Sequence, residues 1–238
     1  MKPVSKCLII WLFVSSAAVT ECRSQVSAYT AIVNSIAGQI AKVSGHEWAV
    51  SGIDVGKAAA DSDTRIRDPY HTLVDCFIFL AADVSEPISN RFKGFVGIYR
   101  IKTDSVIWRS VPLSYSFSSG ALGSVERTDE LNRDGKVEIV IGQGKEPVGT
   151  GQLWIFNWNG SKGELVAQLD RNGESVIMYS GDEYEVKDTD GDGIYEVQTM
   201  WYKNSSSSQE SEVTYAWNGT AYGKWGKSSK NLLKGMKK

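Results

Sequence analysis

After Trp48 the chain alternates apolar and polar residues with a period of two, the signature of half-buried strands. The runs are Glu47–Ile53, Thr72–Ala82, Gly94–Lys102, Ser105–Val111, Lys136–Ile141, Gln152–Asn157, Glu164–Leu169, Ser175–Tyr179, Ile194–Tyr202, Ser211–Trp217 and Ala221–Trp225. Only strands are predicted over this span. Before it, Tyr29, Ile32, Val33, Ile36 and Ile40 recur at helical spacing, and Ser44-Gly45 ends the pattern, so Ala28–Val43 is predicted as a helix that covers a sheet edge or face. The expected fold is mainly β with one N-terminal helix.

Two polar stretches interrupt the strands in the same way. One is Asp188-Thr-Asp190-Gly-Asp192-Gly193-Ile194-Tyr-Glu196 and the other is Glu130-Leu-Asn132-Arg-Asp134-Gly135-Lys136-Val-Glu138. Aligned on Asp134 and Asp192, an offset of 58 (192 − 134), the glycines and the closing glutamates coincide. Val137, Ile139 and Ile141 then match Tyr195, Val197 and Thr199 on one strand face. Oxygen ligands at positions 1, 3 and 5, a glycine for the turn at 6, a backbone carbonyl at 7 (Lys136 or Ile194) and an acid at 9 suit a hard cation. No His or Cys stands in either stretch to favour zinc, and calcium is the expected metal. Asp and Gly also build ordinary turns, but two copies in one setting favour a ligand role. Position 12 is Ile141 or Thr199 and β-branched residues follow, so an EF-hand, with its Glu at 12 and flanking helices, is not expected.

The repeat extends beyond the loops. Leu153-Trp-Ile-Phe-Asn-Trp158-Asn-Gly160 matches Val213-Thr-Tyr-Ala-Trp217-Asn-Gly219, an offset of 59 (217 − 158), and Asn-Gly predicts two-residue hairpin turns. The unit reads as aromatic strand, Asn-Gly turn, strand, third strand, polar loop and fourth strand, the size of a propeller blade. A decayed earlier unit aligns Leu73-Val74-Asp75 with Lys136-Val137-Glu138 and takes Gly97–Ile101 as its aromatic strand. Its loop, near Arg67 to His71, is not expected to hold calcium.

With these residues in view, the segment from about Val125 to Trp217 resembles the FG-GAP or VCBS-type repeats of integrin-like β-propellers. Those repeats carry a loop of the form Asp-x-Asn/Asp-x-Asp-Gly-x-x-Asp/Glu feeding an apolar strand. The resemblance implies calcium held by Glu130, Asn132, Asp134, Lys136 and Glu138, and by Asp188, Asp190, Asp192, Ile194 and Glu196, as a brace for the scaffold. It covers under half the chain, and the Phe-Gly and Gly-Ala-Pro signatures are absent. The chain is too short for seven blades. The implied fold is therefore a set of propeller-like four-stranded repeats, either a small propeller or an incomplete one.

Composition bounds the rest. In 238 residues, 26 basic against 28 acidic side chains leave a net charge of −2, which gives no electrostatic footprint for nucleic acid. Lys2 and Lys6, the apolar run Cys7–Val14 and the small residues Ser16-Ala17-Ala18 read as a signal peptide over residues 1–20. Residues 21–46 carry the helix, 47–225 the β-repeats and 226–238 a basic tail. A secreted or periplasmic protein is expected, with no transmembrane segment after signal removal. Cys22 and Cys76 form one disulfide or none, and Cys76 reads as a buried small hydrophobe.

No Gly-x-Ser-x-Gly elbow or phosphate loop occurs, and neither His46 nor His71 lies beside a serine or cysteine motif. Trp154, Trp158, Trp201, Tyr202, Trp217, Tyr222 and Trp225 crowd the last third, as blade cores or as stacking faces for sugars and partners. The expected function is a binding or adhesion scaffold for another protein or a glycan. The alternative is a secreted polysaccharide-acting enzyme, with its carboxylate pair outside the loops, or the accessory subunit of one.

Overall fold

The computed structural model describes residues 28–61, 63–85, 91–116, 123–142, 150–171, 173, 175–180, 184–202 and 210–225. Residues 1–20, expected as a signal peptide, Cys22 and residues 226–238 lie outside the described residues.

Helix α1 spans 28–44, as its apolar spacing predicts. Then come β1 (Trp48–Asp54), the short helix α2 (Val55–Ala60), β2 (Cys76–Asp83), β3 (Arg91–Arg100), β4 (Ser105–Arg109) and β5 (Leu113–Ser116). A second group holds β6 (Ser124–Asp129), β7 (Val137–Gly142), β8 (Thr150–Trp158), β9 (Gly163–Leu165) and β10 (Met178–Ser180). The third is β11 (Tyr184–Lys187), β12 (Glu196–Tyr202), β13 (Glu210–Trp217) and β14 (Tyr222–Lys224). The expectation of strands alone after Trp48 is corrected by α2, which Asp54 caps by accepting from the Lys57 N–H at 3.1 Å.

Each group is an antiparallel sheet whose main path is four strands. In the first, β1-β2-β3-β4 run in chain order, with β5 also pairing β3; in the second, β6-β7-β8 are followed by both β9 and β10 on β8; in the third, β11-β12-β13-β14 run in order. None closes into a barrel. The hydrogen-bonded unit therefore begins one strand before the polar loop and ends after the Asn-Gly turn, rather than beginning at the aromatic strand.

The turns between third and fourth strands also differ from expectation. The pairs Trp158↔Gly163 and Trp217↔Tyr222 leave four residues in each connection, not two. Only the glycines, Gly160 (φ 93) and Gly219 (φ 94), take the left-handed conformation. Asn159 Oδ1 instead accepts from the N–H groups of Ser161 and Lys162, and Asn218 Oδ1 from those of Thr220 and Ala221. Asn is used here for its side-chain acceptor and not for positive φ. The first sheet matches them in length, since Arg100 pairs with Ser105 across a turn closed by Asp104 at φ 49.

The sheets pack face to face in chain order, and period two decides which residue meets which neighbour. Ile36 and Ile40 of α1 press on Phe77, Phe79, Ala81, Phe95 and Tyr99 of the first sheet. Its other face, with Cys76, Ile78, Leu80, Val96 and Ile98, meets Val137, Ile139, Ile141, Trp154, Phe156 and Trp158 of the second. The back of the second sheet, with Val140, Leu153 and Ile155, meets Val197, Tyr215 and Tyr222 of the third. The outward residues Glu185, Lys187, Gln198 and Thr214 of the third sheet are polar and at least partly exposed, so that face is solvated.

Thus β2 is buried on both faces and reads as an unbroken apolar run. That run carries no register, which is why aligning Leu73-Val74-Asp75 with Lys136-Val137-Glu138 fails. It equates Cys76 and Ile78, which face the next sheet, with Ile139 and Ile141, which face the previous one.

Candidate metal centre

Both polar loops join the first two strands of a sheet, with the same register. The residue before the loop pairs across with the closing glutamate: Asp129↔Glu138 in the second sheet and Lys187↔Glu196 in the third. Glu138 shares the face of Val140, which meets the third sheet, whereas Glu196 shares the outer face with Gln198; both are nonetheless covered, Glu138 at 0% and Glu196 at 3% exposed.

Four hydrogen bonds recur, position by position. The first side chain accepts from the glycine N–H: Glu130 Oε1 from Gly135 at 3.3 Å, Asp188 Oδ2 from Gly193 at 2.9 Å. The third accepts from the fifth residue: Asn132 Oδ1 from Asp134 N–H at 3.0 Å, Asp190 Oδ1 from Asp192 N–H at 3.3 Å. The fifth accepts from the seventh: Asp134 Oδ1 from Lys136 N–H at 3.0 Å, Asp192 Oδ1 from Ile194 N–H at 2.8 Å. The ninth reaches back to the second: Glu138 Oε2 accepts from Leu131 N–H at 2.5 Å, Glu196 Oε2 from Thr189 N–H at 2.8 Å. Gly135 and Gly193 both sit at φ 80, and the fourth residues, Arg133 (φ 60) and Gly191 (φ 76), are left-handed too. That fourth position demands a left-handed residue, a requirement Gly191 signals in the sequence and Arg133 conceals.

The loops differ in what surrounds the acids. Asp188, Asp190 and Asp192 converge, each offering a carboxylate oxygen within 4.8 Å of the others. Carboxylate oxygens at alternate positions of one turn are the donor set a hard cation takes, and these residues fit one. Among the described residues this is the one group of three acidic or imidazole ligands that close together.

In the 130–138 loop, protein donors occupy much of the set. Asp134 Oδ2 accepts from Asn157 Nδ2 at 2.6 Å and from Lys136 Nζ at 3.3 Å, and Tyr70 donates its hydroxyl to Glu130. Two deeply buried polar atoms of the loop are left over, Glu138 Oε1 and Asn132 Nδ2, together with Asn157 Oδ1 beside it. Burial, followed by the negative charges of Asp134 and Glu130, pushes the Glu138 carboxyl up to about 8 against the pull of the Leu131 N–H. An orphaned carboxylate oxygen facing other acids fits a cation. Sequence reasoning missed Tyr70 and Asn157, which come from a distant connection and a neighbouring strand.

The two loops also touch. Tyr195 N–H donates to the Leu131 carbonyl at 2.8 Å. Arg133 lies over Gly193, so that a Cβ built there would stand 1.9 Å from its Nη2. The first sheet contributes through its β1–β2 connection, where Arg67 N–H donates to the Thr128 carbonyl at 2.8 Å and Thr128 N–H to the Arg65 carbonyl at 2.9 Å.

The aromatic residues resolve mainly as core. Trp154, Trp158 and Tyr222 are fully buried, and Trp108 packs edge-on to Phe156 at 5.7 Å between ring centroids. The side chains of Trp201 and Tyr202 lie outside the described residues. No described helix is long and apolar enough to cross a membrane. No family model, curated protein or solved structure matches the chain.

Proposed function

We propose that the protein is a secreted, calcium-stabilised β-repeat scaffold that binds another protein or a glycan. The observation that carries this reading is the loop built twice to one hydrogen-bond plan, with Asp188, Asp190 and Asp192 converging in one copy. A bound calcium ion supplies positive charge that neutralises the converging acids and ties the loop's start to its closing strand. Asp188, Asp190, Asp192 and Glu196, with the Ile194 carbonyl, hold it in the third sheet. Glu130, Asn132, Asp134 and Glu138, with the Lys136 carbonyl, hold it in the second. The chain's own part is to preset the turn: backbone N–H groups orient each carboxylate, with Leu131 holding Glu138 and Thr189 holding Glu196.

Three sheets packed in chain order, each with a meander of four strands, support a propeller-like stack in which α1 covers one end and a polar face the other. A polar end face is how a repeat stack ends without a further repeat. Export through the segment 1–20 would place the loops where calcium is millimolar.

The test is binding of the mature protein to glycan and protein arrays in calcium and in chelator. Calcium-dependent retention of one ligand class supports the scaffold. Turnover of a polysaccharide by the same preparation would replace it with the enzyme reading.

A further inference from the structure

We infer that the two loops form one coupled cation-binding unit, in which occupancy of the 130–138 loop raises the affinity of the 188–196 loop through the Leu131–Tyr195 and Arg133–Gly193 contacts. This rests on the calcium reading above and adds a relation between the sites.

Each contact joins a residue lying between two ligands of one site to a residue lying between two ligands of the other. Leu131 stands between Glu130 and Asn132; Tyr195 stands between Ile194 and Glu196. The Leu131 peptide is bonded on both sides: its N–H goes to Glu138 Oε2 at 2.5 Å and its carbonyl takes the Tyr195 N–H at 2.8 Å. Its side chain is fully buried in the core that also holds Val197, Tyr215 and Tyr222 of the third sheet. Arg133 stands between Asn132 and Asp134, and its guanidinium rests on Gly193, between Asp192 and Ile194. Beyond the converging aspartates, the buried and unpartnered Glu138 Oε1 points independently to a ligand in the first loop.

An ion held by Asn132, Asp134 and Glu138 fixes the turn that carries Arg133 and the peptide of Leu131. The second loop then closes on a partner already ordered, and the entropy of ordering that shared segment is not lost a second time. Repulsion between two divalent ions acts in the opposite sense and is screened by water and salt. By linkage the effect is mutual: the second site raises the first by the same factor.

The experiment is calorimetric titration of the metal-free full chain with calcium chloride, for wild type, Asp134→Ala and Asp192→Ala. Wild type is expected to bind two ions with positive cooperativity. Asp134→Ala is expected to bind one, with the affinity of the surviving loop lowered about five- to tenfold, and Asp192→Ala to lower the other loop by the same factor. Surviving affinities within twofold of wild type overturn the coupling, as does a single ion per wild-type chain, and either result leaves the calcium reading standing. No heat and no shift in melting temperature for wild type overturn the calcium reading itself. Should Asp134→Ala not fold, Arg133→Met keeps both ligand sets. It is expected to bind two ions with reduced cooperativity, and an unchanged isotherm overturns the bridge.

Discussion

Glu138 and Glu196 hold one place in two different sheets. Each carboxylate closes its loop by accepting from the backbone N–H seven residues upstream, Leu131 at 2.5 Å and Thr189 at 2.8 Å. Only Glu138 keeps a buried oxygen without a partner, and Thr189 adds its hydroxyl to Glu196. The two loops share a backbone plan and differ in how far the surrounding protein satisfies their charge.

That difference predicts a pH dependence for the metal-free protein. The folded value of Glu138, about 8, lies above its ordinary value of 4.5, so folding favours the neutral carboxyl. Its contribution to stability is complete below about pH 4.5 and is lost as pH rises through about 8. In chelator, wild type is expected to lose melting temperature between pH 5 and pH 8 more steeply than Glu138→Gln, and at pH 8 the variant melts higher. Calcium reverses the order at pH 8, because the ion takes the carboxylate and not the amide. Parallel melting curves for the two proteins in chelator overturn this account of Glu138.

Helix α1 is predicted to hold the first sheet together rather than to decorate it. Ile36 and Ile40 are both fully buried against Phe77, Phe79, Ala81, Phe95 and Tyr99. Either Ile→Ala change should cost about 2–5 kcal/mol in urea unfolding. A loss below about 1 kcal/mol for both would mean that the helix is not part of the cooperative unit.

The elements easiest to read in the sequence are those whose apolar residues run along most of their length. The α1 stripe and the strands β1, β3, β7, β8, β12 and β13 fall where the pattern puts them. The strands β6 and β11 were missed because they are short sheet edges: Ser-Val-Glu-Arg-Thr-Asp and Tyr-Glu-Val-Lys carry charges that look like loop. Helix α2 was missed because six residues hold too few apolar positions to show a period. The loops are legible as a repeated spacing of acids and glycine. Their surroundings were not, since Tyr70 meets Glu130, and Asn157 meets Asp134, only through tertiary packing.

Cys76 is expected to be inert in the folded protein. It is fully buried and unpaired, and burial, against the pull of Arg100, raises its thiol above the usual range. The thiolate is the reactive form. Alkylation followed by peptide mass mapping should label Cys76 at least tenfold more slowly in native buffer than in denaturant, a ratio set by the rarity of opening. Labelling at comparable rates in both would place Cys76 at the surface and contradict the packing of the first two sheets.

The last prediction ranks the two loops. Asp188, Asp190, Asp192 and Glu196 supply four carboxylates, and the first three already converge within 4.8 Å. The 130–138 loop supplies three, because Asn132 is neutral, and its Asp134 is engaged by Lys136 and Asn157. An entering ion must displace or share those donors, so the 188–196 loop is expected to bind more tightly. Extracellular calcium modules have Kd values of roughly 10⁻⁴ to 10⁻³ M. With Kd ~10⁻⁴ M at ~1 mM calcium, linkage gives a site about 1.4 kcal/mol of stability. Asp192→Ala should remove most of the calcium-dependent rise in melting temperature, and Asp134→Ala should remove less. Removing one acid also relieves repulsion in the metal-free form, so the comparison is between shifts, each variant with calcium against itself in chelator. If Asp134→Ala loses the larger share, charge count and convergence do not set the order, and the buried Glu138 carboxylate makes the 130–138 loop the tighter site.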